Sequence, residues 1–540
     1  MRVIMPVIRI NRREIEVDEG TTIMQAADKL GIYIPRYCYH PGLSIAGCCR
    51  ICGVEVEGSP KLMMACATPV KEGMVVRTDT ERVMMGQKTV QEFLLLNHPL
   101  DCPVCDQAGE CWLQDYAYDY GFAESRFREQ KIKQRKKDVG KNLLLYADRC
   151  IMCTRCVRFA REVSGYNQIG VFGRGAVSEI DVFPGIRIDD KLSGNIADIC
   201  PVGAFLIKDF LFKRRVWELQ STMSVCPACS AGCNVFLHHA EGTIQRLLPR
   251  YNPRVNGYWM CDIGRLDYKF VGSGDRLKKP TIKREGVWEE LGWDEALALA
   301  SRRIREIAAR RGPDSLAVVV SSDATNEEAF ALARLAEALG CAQNLRLLPG
   351  EPGEEERFLG GFVIESDRSP NSRGVLDILK HFMPEEAWDL VSNLDSVSAK
   401  AALFVLCGPH SRREAVEKLA RFGTKSEFSL VQAIVPSALT EAATMILPGA
   451  AYAEKEGTYT NSRGMIQRLY PAFEPPGEAG HDVHIIMELA EALQAGLGFK
   501  TLNEVSRDLS RRVGGYISFE HIEPTGWSIP SSSGVVEVKD

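Results

Sequence analysis

Apolar and polar positions change their rhythm several times along the chain. Residues 3–10 and 14–17 alternate, which predicts a β-hairpin. The spacing from Thr21 to Leu30 predicts a helix capped by Thr21 or Thr22. Val54-Glu55-Val56-Glu57 alternates as a strand. Helical spacing follows over 80–96, stops at Asn97-His98-Pro99, and resumes through Trp112-Leu113-Gln114-Asp115-Tyr116. Residues 142–217 predict short strands and helices between cysteines, and 221–270 a small β-rich unit around four more. Lys278-Lys279-Pro280 marks a boundary. Beyond it, helices over 294–310, 326–339 and 412–422 alternate with the apolar runs Leu316 to Val320 and Ala402 to Leu406. That alternation predicts a parallel sheet covered on both faces. The Pro- and Gly-rich stretch 348–374 is an irregular connection, and no internal repeat of fixed period is present.

Composition narrows the class only a little. The 540 residues suggest three or four domains, and 45% hydrophobic residues suffice for sizeable cores. A net charge of −5 gives no reason to expect a nucleic-acid partner. No apolar run reaches the roughly 18 residues of a transmembrane helix. Met1-Arg2-Val3-Ile4 leads into no Ala-x-Ala-like cleavage site, so no secretory signal is expected. Ser125 to Lys141 carries eight Lys or Arg against two acids. Two readings of that run stay open: a solvated linker, or a docking surface for an acidic partner.

Cysteine changes the picture. Sixteen of the 18 cysteines lie between Cys38 and Cys261, leaving only Cys341 and Cys407 beyond. A disulfide scaffold would be short and stapled throughout. Bunched C-x-x-C units in a long chain point instead to thiolate ligation of metal in a reducing compartment.

Four ligand sets emerge. Cys38, Cys49, Cys52 and Cys66 form C-x10-C-x2-C-x13-C, related to the long loop of plant-type [2Fe–2S] ferredoxins. Gly42 and Gly47 suit the close approach of backbone to a cluster. Cys48 is an extra thiol, read as a non-ligating neighbour with substitution as the alternative. His98, Cys102, Cys105 and Cys111 form H-x3-C-x2-C-x5-C. Zinc also accepts three cysteines with one histidine, so spacing alone leaves both metals open there. Imidazole in place of a thiolate makes a cluster less negative and raises its potential. Cys150, Cys153 and Cys156 with the later Cys200-Pro201 carry the bacterial ferredoxin [4Fe–4S] signature. With only one triad present, Cys200 closes the same cluster. Cys226, Cys229, Cys233 and Cys261 form C-x2-C-x3-C-x27-C, read as a third [4Fe–4S] set with zinc as the alternative. Four one-electron centres in consecutive modules make sense as a wire. No Gly-rich dinucleotide fingerprint follows a strand, and no catalytic residue is singled out.

The order of the sets resembles the large iron–sulfur subunit (G subunit) family of bacterial respiratory complex I, NADH:quinone oxidoreductase. The residues that carry the likeness are Cys38-Tyr39-His40-Pro41-Gly42-Leu43, Asn97 to Asp106, Gly109 to Asp115, Cys150 to Arg158, and Asp198-Ile199-Cys200-Pro201-Val202-Gly203-Ala204. Residues 221–540 resemble a molybdopterin-type oxidoreductase, through Cys226 to Cys261, Leu291 to Ala296 and Glu454 to Asn461. Catalytic members of that class are longer and carry a Cys, Ser or selenocysteine molybdenum ligand after a helix like 326–339. The surroundings of Cys341 do not match that ligand, and Cys407-Gly408-Pro409-His410 sits at a predicted strand end.

The resemblance implies a multidomain α+β and α/β chain. Its expected parts are a [2Fe–2S] ferredoxin-like β-grasp over 1–82, a [4Fe–4S] module with one histidine and three cysteines over 83–122 and a ferredoxin-like [4Fe–4S] module over 123–218. A [4Fe–4S] segment of molybdopterin-oxidoreductase N-terminal type over 219–275 and a truncated, degenerate domain of that class over 276–540 complete it. It implies one [2Fe–2S] and three [4Fe–4S] clusters and no molybdenum. It also implies partners: a flavin-bearing NADH-oxidising subunit with its small [2Fe–2S] companion, a two-cluster ferredoxin-type subunit, and the quinone-site subunits of a peripheral arm. The expected place is the cytoplasmic face of the bacterial inner membrane.

Three rivals remain at this point. A molybdenum formate dehydrogenase needs a metal ligand and catalytic His that cannot be placed. A hydrogenase needs a further cysteine-rich region, or, as an NAD-linked electron-transfer subunit, stops before the second half. A zinc-stabilised interaction protein explains the second and fourth sets but not the third.

Overall fold

The computed structural model describes residues 5–383, 394–398 and 400–530. The expected segment Met1 to Ile4 lies outside them. Two compact units emerge: residues 1–219 with 358–362, and residues 220–357 with 363–540.

The first unit begins with a five-stranded sheet in the order Arg13–Glu16, Val7–Ile10, Val75–Arg77, Gly53–Val56, Met63–Met64. The alternation that predicted the hairpin is realised as burial: Ile8 and Ile10 enter the core while Val7 and Arg9 face water. Asn11, at φ 55°, supplies the left-handed residue that a two-residue hairpin turn requires. The helix Ile23–Lys29 packs on this sheet, started by a capping box between Thr22 and Gln25. Thr80 caps the next helix, Glu81–Leu95, and Trp112–Tyr120 lies against it. A three-stranded sheet (Phe205–Ile207, Leu143–Tyr146, Lys136–Asp138) and the hairpin Ile169–Phe172 with Glu179–Val182 then frame the third cysteine set.

The basic run Ser125 to Lys141 is partly spent inside the unit. Arg126 pairs with Glu92, and Lys137 with Glu179 and Asp181. Lys131 donates to the carbonyls of Leu95 and Leu96, 2.6 and 2.9 Å away, at the helix end that precedes His98. A cation there meets the orphan carbonyls and the negative end of the helix dipole.

The second unit opens with an antiparallel sheet of Gln220–Val225, Asn234–Ala240 and Thr243–Pro249. Its largest element is a seven-stranded sheet, ordered Val287–Glu290, Thr281–Arg284, Met445–Pro448, Phe428–Ala433, Ala402–Cys407, Leu316–Ser321, Leu345–Leu348. The last five run parallel, and the first two form an antiparallel edge hairpin. Every residue of Leu316–Ser321, Ala402–Cys407 and Phe428–Ala433 is buried, the mark of strands covered on both faces. Alternate residues serve different cores. Val318, Val320, Phe404 and Leu430 pack with the helices Trp293–Arg311, Asn326–Ala338, Ser372–Phe382 and Asp482–Ala492. Val319, Val405 and Val431 pack with Arg413–Gly423 and Ala438–Ala442 on the opposite face.

Phe330, fully buried in the larger core, sets a direct check on this packing. Phe330→Ala is expected to cost about 3–5 kcal/mol, read as a lowered urea midpoint of the second unit's unfolding transition.

Candidate metal centres

The first set is assembled by the loop between the helix Ile23–Lys29 and the strand Gly53–Val56, with Cys66 beyond that strand. Cys38, Cys52 and Cys66 are buried and Cys49 is half-buried. Cys52 Sγ lies 3.5 Å from Cys66 Sγ. Hydrogen bonds from the thiols of Cys48, Cys49 and Cys66 hold Cys38 far below the usual thiol range. The same bonds push Cys49 and Cys66 up. Gly47 (φ 61°) and Arg50 (φ 65°) turn the loop through left-handed conformations. Gly42 instead donates its N–H to His40 Nδ1 at 3.1 Å. Cys48 is exposed, and its sulfur lies 3.7 Å from the carbonyl of Cys153 in the third set.

In the second set, Cys105 and Cys111 are buried and Cys102 is exposed. Burial pushes Cys111 up to about 12, with the nearby thiols of Cys105 and Cys200 adding to the effect. Burial pushes His98 down to about 4, and its buried Nδ1 has no hydrogen-bond partner. A neutral imidazole with an unpartnered ring nitrogen suits a metal ligand. Gly203 leaves room for the set: a Cβ there would stand 2.3 Å from Cys105 Sγ.

In the third set, Cys150, Cys153, Cys156 and Cys200 line one enclosed pocket with Ile180, Val202 and Phe205. Met152 (φ 53°) and Thr154 (φ 58°) are left-handed, an unusual cost for residues other than glycine. The strain turns the backbone around the sulfurs, and Met152 N donates to Cys150 Sγ at 3.4 Å. Burial pushes the Cys153 thiol up to about 11.

The fourth set is the driest. Cys226, Cys229, Cys233 and Cys261 are 4–5% exposed. Cys261 caps the helix Asp262–Leu266, accepting from Gly264 N at 3.4 Å, and burial pushes its thiol up to about 12. A Cβ on Gly264 would stand 2.4 Å from Cys226 Sγ. The residues present therefore fit metal clusters: each set gathers buried thiols, and backbone donors to sulfur or glycines where nothing larger fits stand beside the second, third and fourth.

Among the described residues, no three His, Cys, Asp or Glu side chains are arranged around a single metal ion.

Comparison with known proteins decides the family. An NADH-quinone oxidoreductase G subunit of Rickettsia conorii is 31% identical over 95% of this chain and 92% of its own length. The chain belongs to the family of NADH-quinone oxidoreductase G subunits. The NADH-ubiquinone oxidoreductase 78 kDa subunit of Candida albicans is 31% identical over 97% of this chain and 87% of its own. The 75 kDa subunit of Reclinomonas americana is 45% identical over 54% of this chain and 42% of its own.

Separate families match parts of the chain. Residues 7–81 match a 2Fe-2S iron-sulfur cluster binding domain and 87–126 the NADH-ubiquinone oxidoreductase-G iron-sulfur binding region. Residues 140–206 match the ferredoxin-like domain of NADH-quinone oxidoreductase subunit 3, and 276–348 with 371–492 match molybdopterin oxidoreductase. The first three sets fall inside such segments, whereas the fourth falls between 206 and 276.

The last match implies a pterin group, and the residues present do not fit one. In an open α/β sheet the ligand crevice lies beyond the carboxyl ends of strands where their order reverses. Here Leu316–Ser321 and Ala402–Cys407 end there, and the space is lined by Asp323, Cys407, His410, Tyr452 and Lys455. Its charges are spent on each other. Lys455 Nζ binds Glu328 at 2.7 Å and Asp482 at 3.0 Å. His410 is held between Asp323 at 2.5 Å and Asp267 at 2.6 Å. Burial alone would lower its pKa, but the two carboxylates raise it to about 10. Cys341 is buried at the end of the helix Asn326–Ala338 and does not line this space.

Sequence reasoning named the candidate ligands but gave no role to Gly203, quoted only within a motif, and passed over Gly264. Both glycines sit next to ligand motifs, which is the signal that could have found them.

Gly203→Ala and Gly264→Ala are each expected to remove one set, Gly203→Ala the second and Gly264→Ala the fourth. Metal analysis should then show less bound metal per chain for either. Lys455→Met leaves two buried carboxylates unpaired and should cost about 3–5 kcal/mol, read as a lowered melting temperature.

Proposed function

We propose that this chain is the iron–sulfur wire of an NADH:quinone oxidoreductase, relaying electrons from a flavin/NADH module toward quinone through clusters held by its four sets. The observation that carries the reading is the adjacency of the sets in the first unit. Cys111 of the second lies within charge reach of Cys200 in the third, and Cys48 beside the first touches the carbonyl of Cys153. Single-electron centres must be close to exchange electrons, and this packing of the candidate sets supports that.

The ligands are Cys38, Cys49, Cys52 and Cys66 for a [2Fe–2S] cluster. Those for three [4Fe–4S] clusters are His98, Cys102, Cys105 and Cys111; then Cys150, Cys153, Cys156 and Cys200; then Cys226, Cys229, Cys233 and Cys261. When bound, the clusters supply one-electron redox chemistry. The protein's own contribution is to hold the thiolates, donate N–H groups to sulfur and exclude water, which tunes potential. Zinc at the second and fourth sets is disfavoured by the company of the ferredoxin-type first and third sets in the same chain.

The division at 82, 122, 218 and 275 follows the ligand sets. The partners are the flavin-bearing NADH-oxidising subunit and its small [2Fe–2S] companion, the two-cluster ferredoxin-type subunit, and the quinone-site subunits. Among the described residues no helix is long and apolar enough to cross a membrane. Attachment at the cytoplasmic face of the bacterial inner membrane then runs through the complex.

The test is metal analysis of the anaerobically purified complex, with partner clusters subtracted. About 14 iron atoms per copy, without zinc or molybdenum, are expected. About 10 iron atoms with one zinc would turn one [4Fe–4S] set into a structural site. Stoichiometric molybdenum would overturn the reading of the second unit. His98→Cys, which adds a negative ligand, should lower the potential of the second cluster alone in an EPR-monitored titration.

A further inference from the structure

Two arginines lie inside the first unit without the partners that buried cations require. Arg155 is 2% exposed and Arg158 is 5% exposed. All their hydrogen bonds run to backbone carbonyls: Arg155 to Ile199 and Tyr39, at 3.1 and 2.6 Å, and Arg158 to Ser44, Cys38 and Cys153. The Nε–H of each is buried and has no acceptor. Among the described residues neither guanidinium is paired with a carboxylate.

Four other buried cations differ. Arg149 has Asp101, Arg265 has Asp262, Arg276 has Glu454, and Lys455 has Glu328 and Asp482. An unpaired buried charge is costly enough that proteins pair it or neutralise it, and a guanidinium cannot be neutralised. A negative charge must therefore stand nearby that these side-chain carboxylates do not supply.

The places the two side chains touch say where it stands. Arg155 lies between two third-set cysteines in sequence. It reaches Ile199, next to Cys200, and Tyr39, next to Cys38. Its guanidinium also sits 4.4 Å over the ring of Trp112, next to Cys111. One side chain thus contacts a neighbour of a ligand in each of the first three sets. Arg158 bonds the carbonyls of ligand residues Cys38 and Cys153 themselves, at 2.6 and 3.3 Å.

We infer that Arg155 and Arg158 are the buried counter-charge of the clusters in the first unit, positioning residues that raise the potentials of the first and third clusters, with Arg155 extending to the second. The inference rests on the ligand sets proposed above. A cluster held by four thiolates is anionic and gains a further negative charge on reduction. A fixed cation beside it stabilises the reduced form more than the oxidised form. Because the same two cations serve neighbouring clusters, they hold the potentials of those clusters up together.

The experiment is an EPR-monitored potentiometric titration of the assembled oxidoreductase, with Arg155→Gln, Arg155→Lys, Arg158→Gln and Arg158→Lys beside the unaltered protein, and iron measured in each. The expected result is full iron content, with the midpoints of the first and third clusters shifted downward by Gln and largely kept by Lys. Arg155→Gln should also lower the second. Loss of clusters in Gln but not in Lys would support the same conclusion, since charge then decides assembly. The inference falls if Gln and Lys shift the midpoints alike, if neither shifts them, or if both lose the clusters, because the guanidinium fork rather than its charge would then matter. Missing iron or missing cluster signals in the unaltered protein would overturn the ligand sets instead.

Discussion

The four cysteine sets depend on one constraint: thiols must be carried out of water and still be able to give up their protons. Burial opposes this, pushing Cys111 and Cys153 well above their ordinary range. A fold that buries thiolates must therefore supply compensating charge from a metal group, from N–H donors, or from cations. The chain uses backbone for the second of these. Met152 N and Gly264 N donate to the sulfurs of Cys150 and Cys261, and the left-handed residues Met152 and Thr154 bend the third loop around its sulfurs. Such conformations are unfavourable in isolation and persist only where surrounding structure fixes them.

The same constraint explains which small residues are where they are. At Gly203 and Gly264 the backbone passes so close to a sulfur of another segment that a methyl group has no place. Ligand sets drawn from distant stretches of chain need such crossings. Cys200 belongs with a triad well before it in the chain, and its neighbour Gly203 packs against Cys105 of a different set. Cluster loops and their spacing are thus folded jointly rather than as independent beads.

Much of this was legible in the sequence. Helices over 294–310, 326–339 and 412–422 appear as Trp293–Arg311, Asn326–Ala338 and Arg413–Gly423. Helical periodicity is local, so one sequence suffices to see it. The strands Phe428–Ala433 and Met445–Pro448 do not stand out as apolar runs, because Ser429 and Gln432 interrupt the first and the second is only four residues long. The thiol sets were readable because spacing within a loop is itself a geometric statement. Arg155 and Arg158 were visible only as letters within a motif. Their burial, and the absence of a carboxylate beside them among the described residues, are properties of tertiary packing. The basic run was likewise ambiguous until Lys131 and Lys137 were seen to bind elements of their own unit.

The second unit shows the converse of the first. Its sheet retains a crevice where strand order reverses, the usual ligand position in open α/β folds. Yet the crevice is filled by ions that neutralise one another: Lys455 with Glu328 and Asp482, His410 with Asp323 and Asp267. A binding site for a charged cofactor keeps donors aimed at empty space, whereas this one has turned them inward. Such a network holds its elements in one register without offering anything to a ligand. In the first unit Arg149 keeps Asp101, but among the described residues Arg155 and Arg158 have no carboxylate beside them. A buried charge left unpaired calls for a counter-charge, whereas one already paired offers a charged ligand nothing.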